Sequence, residues 1–522
     1  MRGDILSNEY LIGTDIGTYG TKTVIVDTEG RIIGTSYIEY GVLTPRPGWA
    51  EQWPDVWFNA VIKTIRDVLE KTKIDPKDVA GLAISGLYGG SGIPCDKEMR
   101  PLRPAIIWMD RRAVKECAWL RENIGEEEIF KVSGNTIDPY FGYTKMLWIK
   151  FNEPKIWERI YKIVTPKDYV IYRLTGELAI DYSSAGNYGG IFDIHKRTWS
   201  DKMLDELGIP KDYLPDRIVM AKDVVGEITE EGSKLTGLKV GTPVCAGGID
   251  APVSALSVGA IDDGDVGAML GTSMCIGIIQ DEERLTPRLV NFPYVVNDKQ
   301  KLYSFAGITT AGACIRFFRD NFGKLEKLLG DNIGISAYAI LDLEAEKISP
   351  GCDGIIFLPH MSVGERAPWW DETIRSCLIG LTTYHTSAHV YRAMLEGIGY
   401  AIRYSLEVAK GAKIPIRKIM LVNGGARSAL WRKIIASIIN MDVIYIAESP
   451  GAPYGDALLA GVGTGVLKDY SVIREWITVS EITKPDPKMK EIYDKYYKVY
   501  LEVYRANTEV FRMLTDLTKE FS

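Results

Sequence analysis

The stretch Tyr10-Leu-Ile-Gly-Thr-Asp-Ile-Gly-Thr-Tyr-Gly-Thr-Lys-Thr-Val-Ile-Val-Asp27 decides how the rest of the chain is read. Tyr10 to Thr14 is a short apolar strand, Asp15 to Gly20 a turn, and Thr21 to Asp27 an alternating second strand. Thr28-Glu-Gly30 turns the chain into a third strand that begins at Arg31. The hairpin carries glycines, threonines and Lys22, so its backbone N–H groups can approach a phosphate chain closely. Asp15, ending its strand, is placed to hold a Mg²⁺ ion through water. The plainer alternative is an ordinary hairpin whose aspartate caps its own turn.

Outward from the hairpin, an amphipathic helix is expected from Pro54 to Lys71, then an apolar strand, Val79 to Ser85, and a glycine-rich loop, Leu87 to Gly92. Strands followed by helix and strand describe an α/β unit with a mixed sheet. The pattern returns in the second half. Val266 to Leu270 leads through Gly271-Thr-Ser273 into Met274 to Ile279. Lys418 to Val422, Asn423-Gly-Gly-Ala426 and a helix from Ser428 to Ile439 give a further strand, glycine turn and helix. Two related domains would produce this echo, although glycine turns between strands also occur in α/β proteins at large. Between the halves, Val244-Cys-Ala-Gly-Gly-Ile-Asp-Ala-Pro252 sets a carboxylate just beyond an apolar strand. The glycines leave room for a hydroxyl beside Asp250, as a general base requires. Asp250 could equally cap a helix starting near Ala251, with Pro252 in its first turn.

A chain of 522 residues exceeds what one core fills, so two domains are expected. We place the boundary near Gly259 to Gly264, giving domains 1–259 and 260–522. Apolar residues make up 46% and charged residues 25%, a globular balance, and the net charge of −7 offers no basic patch for nucleic acid. The seven cysteines form no CxxC pair and have mostly apolar or glycine neighbours, which suits buried thiols in a reducing compartment. The N-terminus lacks the apolar core of a signal peptide, and no run of 18 apolar residues occurs. The expectation is a cytoplasmic protein without a membrane partner.

The residues already quoted, joined in order by Gly48-Trp-Ala-Glu-Gln52, Trp108-Met-Asp-Arg111, Thr310-Ala-Gly312, Gly364-Glu-Arg-Ala-Pro368 and Gly424-Gly-Ala-Arg-Ser428, resemble the FGGY carbohydrate kinases. The likeness runs from about residue 10 to 465, and several blocks are most similar to xylulokinases. It implies two actin-like ATPase (ribonuclease H-like) domains with an interdomain cleft. It implies transfer of phosphate from ATP, with Mg²⁺, to a hydroxyl of a small sugar or polyol such as the ketopentose xylulose. By the same likeness Asp250 is the catalytic base and Asp15 handles the metal. Thr18, Tyr19, Gly20 and Lys22 face the ATP phosphates with Gly271 and Thr272, and Gly312, Arg316, Gly424 and Gly425 line the nucleotide side. Tyr88, Trp108, Asp110 and Tyr140 join Asp250 on the sugar side.

The departures concern the substrate. Xylulokinases carry Met-His where this chain reads Leu87-Tyr-Gly-Gly90, and glycerol kinases carry Arg-Glu there. Asp138-Pro-Tyr-Phe141 is instead similar to a glycerol-kinase segment whose tyrosine contacts substrate. After the base, this chain has Ala251 where those families place Asn or Gln. Glycerol, tetritols and other ketoses therefore stay open as acceptors.

Other readings are weaker. His385 and His389 are four apart, but a helix starting after Thr386 leaves His385 outside it. Trp369-Trp370 suits either sugar stacking or a structural lid. Gly461-Val-Gly-Thr-Gly465 follows a helix, not a strand, which excludes a dinucleotide loop. No P-loop, protein-kinase, HExxH or GxSxG motif occurs. An actin- or chaperone-like ATPase would share the phosphate hairpins but has no need of the Trp108, Asp110 and Tyr140 wall. The terminal helix, Asp486 to Leu517, carries tyrosines at 493, 496, 497, 500 and 504 that could pack on the body or serve a homodimer.

Overall fold

The computed structural model describes residues 9–87, 90–362, 364–449 and 451–520. The chain forms two compact units: Met1–Asp262 with Ile279–Ser304 and Pro450–Ile477, and Asp263–Ile278 with Phe305–Ser449 and Thr478–Ser522. Segments 279–304 and 450–477 belong to the first unit although they follow its main stretch along the chain.

In the first unit, Tyr10–Ile16 pairs antiparallel with Gly20–Asp27, which pairs antiparallel with Ile32–Glu39. On its other side Tyr10–Ile16 lies parallel to Val79–Gly86, and that strand lies parallel to Pro243–Cys245. This is the ribonuclease-H-like arrangement. Tyr10–Ile16 is buried nearly throughout, as expected of a central strand covered on both faces, whereas Ile32–Glu39 at the edge is mostly exposed. The helix Pro54–Thr72 covers one face with Trp57, Val61, Ile65 and Val68, a stripe at helical spacing. Each such side chain contributes about 1.5–3 kcal/mol of burial. Proline opens the helix, and Lys73 in the left-handed region closes it.

The helix Ala452–Thr464 packs on Tyr10–Ile16, on Val79–Gly86 and on the short helix Asp250–Leu256. It is rich in small residues, so backbone meets backbone. A Cβ at Gly13 would stand 1.8 Å from the Pro453 carbonyl oxygen, and one at Gly455 2.4 Å from that of Val253. Gly461 to Thr464 lies inside this helix, so no dinucleotide loop exists there.

The second unit repeats the scheme. Asp265–Leu270 pairs antiparallel with Met274–Gln280 and parallel with Lys418–Val422, which lies parallel to Val443–Tyr445. The terminal helix, Pro487–Glu520, buries Tyr493, Tyr497 and Tyr500 in this unit. Arg392 donates to the Tyr493 hydroxyl at 3.1 Å, and that hydroxyl donates to Glu396 at 2.9 Å. These tyrosines pack on the body of their own unit. Cys95, Cys117, Cys245, Cys314 and Cys352 are buried thiols. Among the described residues, no helix is long and apolar enough to cross a membrane.

Gly13→Ala should destabilise the protein by about 2 kcal/mol or more, because the clash is with backbone that cannot rotate away. A melting curve reads this directly; an unchanged midpoint would rule out so close an approach.

Candidate functional site

In the first unit, three parallel strands end side by side at Asp15, at Ser85-Gly86 and just before Gly248. Ligands of open α/β sheets collect at such carboxyl ends. Asp15 is the register partner of Lys22 across the hairpin. Burial pushes the Asp15 carboxyl up to about 6, while the Ser85 hydrogen bond and the Lys22 charge oppose the rise. Burial also lowers Lys22, and Asp15 resists that shift. The Ser85 hydroxyl oxygen lies 3.2 Å from Asp15 Oδ1 and 2.5 Å from Asp456 Oδ2. Complete burial drives Asp456 well above the carboxylate range, while its hydrogen bonds from Ser85 oppose the rise. A hydroxyl carries one proton. The Ser85 hydroxyl stands between the two carboxylates and can donate to only one of them at a time. Local sequence could not join Ser85 and Asp456. The signal was a lone carboxylate inside the apolar run Tyr454-Gly-Asp-Ala-Leu-Leu459.

The turn of the hairpin is pinned by Gly17 N–H to Gly20 O at 3.0 Å and by the Tyr40 hydroxyl to Gly17 O at 2.8 Å. The half-buried Trp108 donates its indole N–H to Thr18 Oγ1 at 3.0 Å, joining two residues expected on different sides of the reaction. Tyr19 keeps 53% of its surface exposed.

Asp250 is the first residue of its helix. The residue before it, Ile249, is extended and contributes no capping side chain. The aspartate is thus not an N-cap; its Oδ1 accepts the Ala251 N–H at 2.6 Å. It is half-buried. Gly247 has φ +64, and a Cβ there would stand 2.0 Å from Ile84 O, so glycine is required.

Asp110 lies two residues beyond Trp108. It is completely buried, and its oxygens accept from Ala50 N at 2.6 Å and from the Arg112 backbone and guanidinium at 2.7–3.0 Å. Arg112 also bonds Glu51 at 2.7 Å and stacks 3.7 Å from the Trp49 ring centre. Asp110 therefore organises its own loop. Tyr140 is buried, its backbone N–H bound by Asp138 at 2.7 Å, and Arg111 grips Asp138 with two hydrogen bonds. Tyr88 lies outside the described residues.

In the second unit a cavity of about 560 Å³ gathers Gly271, Thr272, Gly312, Arg316, Gly424 and Gly425. That is a size suited to a small-molecule ligand. Gly312 N–H donates to Gly271 O, and the Ala311 N–H to Thr272 O, each at 2.9 Å. A Cβ at Gly425 would stand 2.6 Å from the Leu270 side chain. Sequence missed the walls Tyr338, Asp342, Tyr391 and Trp431. Tyr338, Asp342 and Tyr391 come from helices with no motif of their own, and burial raises Asp342 while Tyr391 donates to it at 3.1 Å.

His389 sits in the first turn of the helix Ser387–Gly411, where its Nδ1 accepts the Thr386 N–H at 3.1 Å, and its Nε2 lies 3.3 Å from Asp353. His385 bonds Thr382 in the same manner. Both are helix-entry residues. Trp369 packs on His360 and Tyr404, which fits the structural alternative. Among the described residues, no cluster of three or more His, Cys, Asp or Glu could hold a metal.

This pair of units is the fold of a sugar kinase. Models for the N-terminal and C-terminal domains of the FGGY family of carbohydrate kinases match residues 10–257 and 266–464. The chain belongs to that family. It is 28% identical to the xylulose kinase of Bacillus subtilis, covering 94% of this chain and 97% of that one. It is 30% identical to the gluconokinase of the same organism, covering 90% of each. The solved xylulose kinase from Rhodospirillum rubrum superposes with a TM-score of 0.87 at 27% identity, over 97% of this chain and all of that one.

Behind Tyr140, burial pushes the Lys145 ammonium from 10.5 down to about 7, although nearby Asp110 pulls it back up. Its amine donates to the carbonyls of Pro139 and Tyr140. The unfolded chain therefore holds this proton at pH values where the folded state has released it. The associated stability is present at high pH and is lost as pH falls toward 7. Lys145→Met should flatten the rise in melting temperature between pH 7 and 9, and an unchanged slope would assign that titration to another group.

Proposed function

We propose that this carbohydrate kinase transfers the γ-phosphoryl group of ATP to a hydroxyl of a ketopentose such as xylulose, with Asp250 as the general base. The observation that carries the reading is the place of Asp250, a half-buried carboxylate opening a helix at the strand ends that bear Asp15 and Ser85. The relative named xylulose kinase supports the ketopentose. Glycerol, tetritols, other ketoses and, from the relative named gluconokinase, a sugar acid are the competing acceptors.

The Ala251 N–H orients the Asp250 carboxylate. An acceptor hydroxyl bonded to that carboxylate gives it a proton as its oxygen attacks the γ-phosphorus, and the bond from that phosphorus to the β-phosphate oxygen breaks to release ADP. Trp108 and Tyr140 wall the acceptor side. We assign phosphate contacts to Thr18, Tyr19, Gly20 and Lys22, and to Gly271 and Thr272. Gly312, Arg316, Gly424 and Gly425 line the nucleoside cavity. Asp15 fits a Mg²⁺ ion carried on phosphates, because one carboxylate beside a hydroxyl is the sparse donor set such an ion accepts. Bound there, the ion would neutralise charge on the β- and γ-phosphates.

An ADP-release screen over pentuloses, hexuloses, glycerol, tetritols and gluconate tests the reaction. Turnover equally fast without any acceptor would favour an actin- or chaperone-like ATPase instead. Asp250→Asn should cut kcat about 10²-fold or more with ATP affinity within twofold, and near-normal turnover would remove the base. Lys22→Ala should raise the ATP KM about tenfold with little change for the sugar. The opposite pattern would contradict its phosphate contact.

A further inference from the structure

The loop 246–249, which delivers Asp250, is tied at every residue. Lys167 Nζ donates to Ala246 O at 3.0 Å, Gly247 N–H to Ala221 O at 2.8 Å, and Gly86 N–H to Gly248 O at 3.1 Å. Ile249 N–H donates to Ser183 Oγ at 3.1 Å. The first and last ties share an anchor. Asp181 pairs with Lys167 Nζ at 2.9 Å and accepts the hydroxyl of Ser183, along with the backbone N–H groups of Ser183 at 2.8 Å and Ser184 at 3.2 Å. Lys167 is further paired with Asp168 at 2.6 Å. Asp181 and Ser183 are completely buried, and Lys167 and Asp168 nearly so.

A stable core does not call for such an arrangement. Burying three ionised groups costs heavily, and apolar side chains of similar volume often serve stability as well or better. Polar networks of this kind instead fix one geometry. The Ser183 hydroxyl has one proton and gives it to Asp181, so its lone pairs are turned toward Ile249 N–H. Side chains at 248 would break the arrangement: a Cβ there would stand 3.2 Å from Ser183 Oγ and 2.5 Å from Val295.

We infer that Asp181 and Ser183 are positioning residues for the phosphoryl-transfer step, locking the backbone next to Asp250 so that its carboxylate meets the acceptor hydroxyl in one orientation. Neither residue touches substrate; both act through Ile249. The inference rests on Asp250 being the base. Misplacing a base by about 1 Å can cost on the order of 10²-fold in rate while leaving binding intact.

The test is a double-mutant cycle on the full-length enzyme, with kcat and both KM values measured for wild type, Ser183→Ala, Asp250→Asn and the double variant. Ser183→Ala should lower kcat tenfold or more in the Asp250 enzyme, with each KM within about twofold, and by less than threefold in the Asp250→Asn background. A kcat loss below threefold in the Asp250 enzyme, or an equal loss in both backgrounds, overturns the inference while Asp250 stands as base. Near-normal turnover of Asp250→Asn alone instead removes the base assignment itself. Asp181→Asn, carried through the same cycle, decides the matter should Ser183→Ala fail to fold, with the same thresholds.

Discussion

The first unit depends on a close approach of backbones. The helix Ala452–Thr464 lies against Tyr10–Ile16 and Val79–Gly86 at a distance only glycine permits, with Gly13 facing Pro453 and Gly455 facing Val253. Nothing larger fits without moving main chain. That contact brings Asp456 to the Ser85 N–H and hydroxyl, and through Ser85 to Asp15. A packing constraint thus sets the surroundings of a carboxylate at the end of the central strand. The same helix covers the short helix headed by Asp250, so one element packs on all three strands.

Charge in this unit is used for geometry. Asp110, Arg112, Glu51 and Arg103 form one buried network beneath Trp49 and Trp148, and Lys167, Asp168 and Asp181 form a second beneath residues 246–249. Each holds a loop that contains functional candidates. Removing one member leaves an uncompensated buried charge, which is far costlier than losing a surface pair. These loops lack regular ladders of hydrogen bonds, and the buried ions supply their ties instead.

The second unit builds its cavity mainly from turns. Gly312 and Gly271 meet backbone to backbone, and Gly425 fits against Leu270 and Trp431 because it has no side chain. The aromatic and acidic walls come later in the chain, from the helices that carry Tyr338, Asp342, Tyr391 and Trp431. Ser428 caps the helix Ala429–Ile439 by accepting the Trp431 N–H at 3.0 Å, which fixes that wall relative to the glycine turn.

Local sequence settled whatever depends on neighbours along the chain. The hairpin at 10–27, the helix from Pro54, the strand Lys418–Val422 and the glycine turns followed from periodicity and turn chemistry, and the ordered motifs named the family. The resemblance, not the turns alone, nominated Asp250 and the residues Gly271, Thr272, Gly312, Arg316, Gly424 and Gly425, and the six line one cavity of the second unit. Only the tertiary structure could show how Asp110 is held, since its partner Ala50 stands about sixty residues away. It alone moved segments 279–304 and 450–477 into the first unit and set Asp456 against Ser85. Burial, and the long-range partners that make burial tolerable, belong to the folded chain as a whole, and no local pattern encodes them.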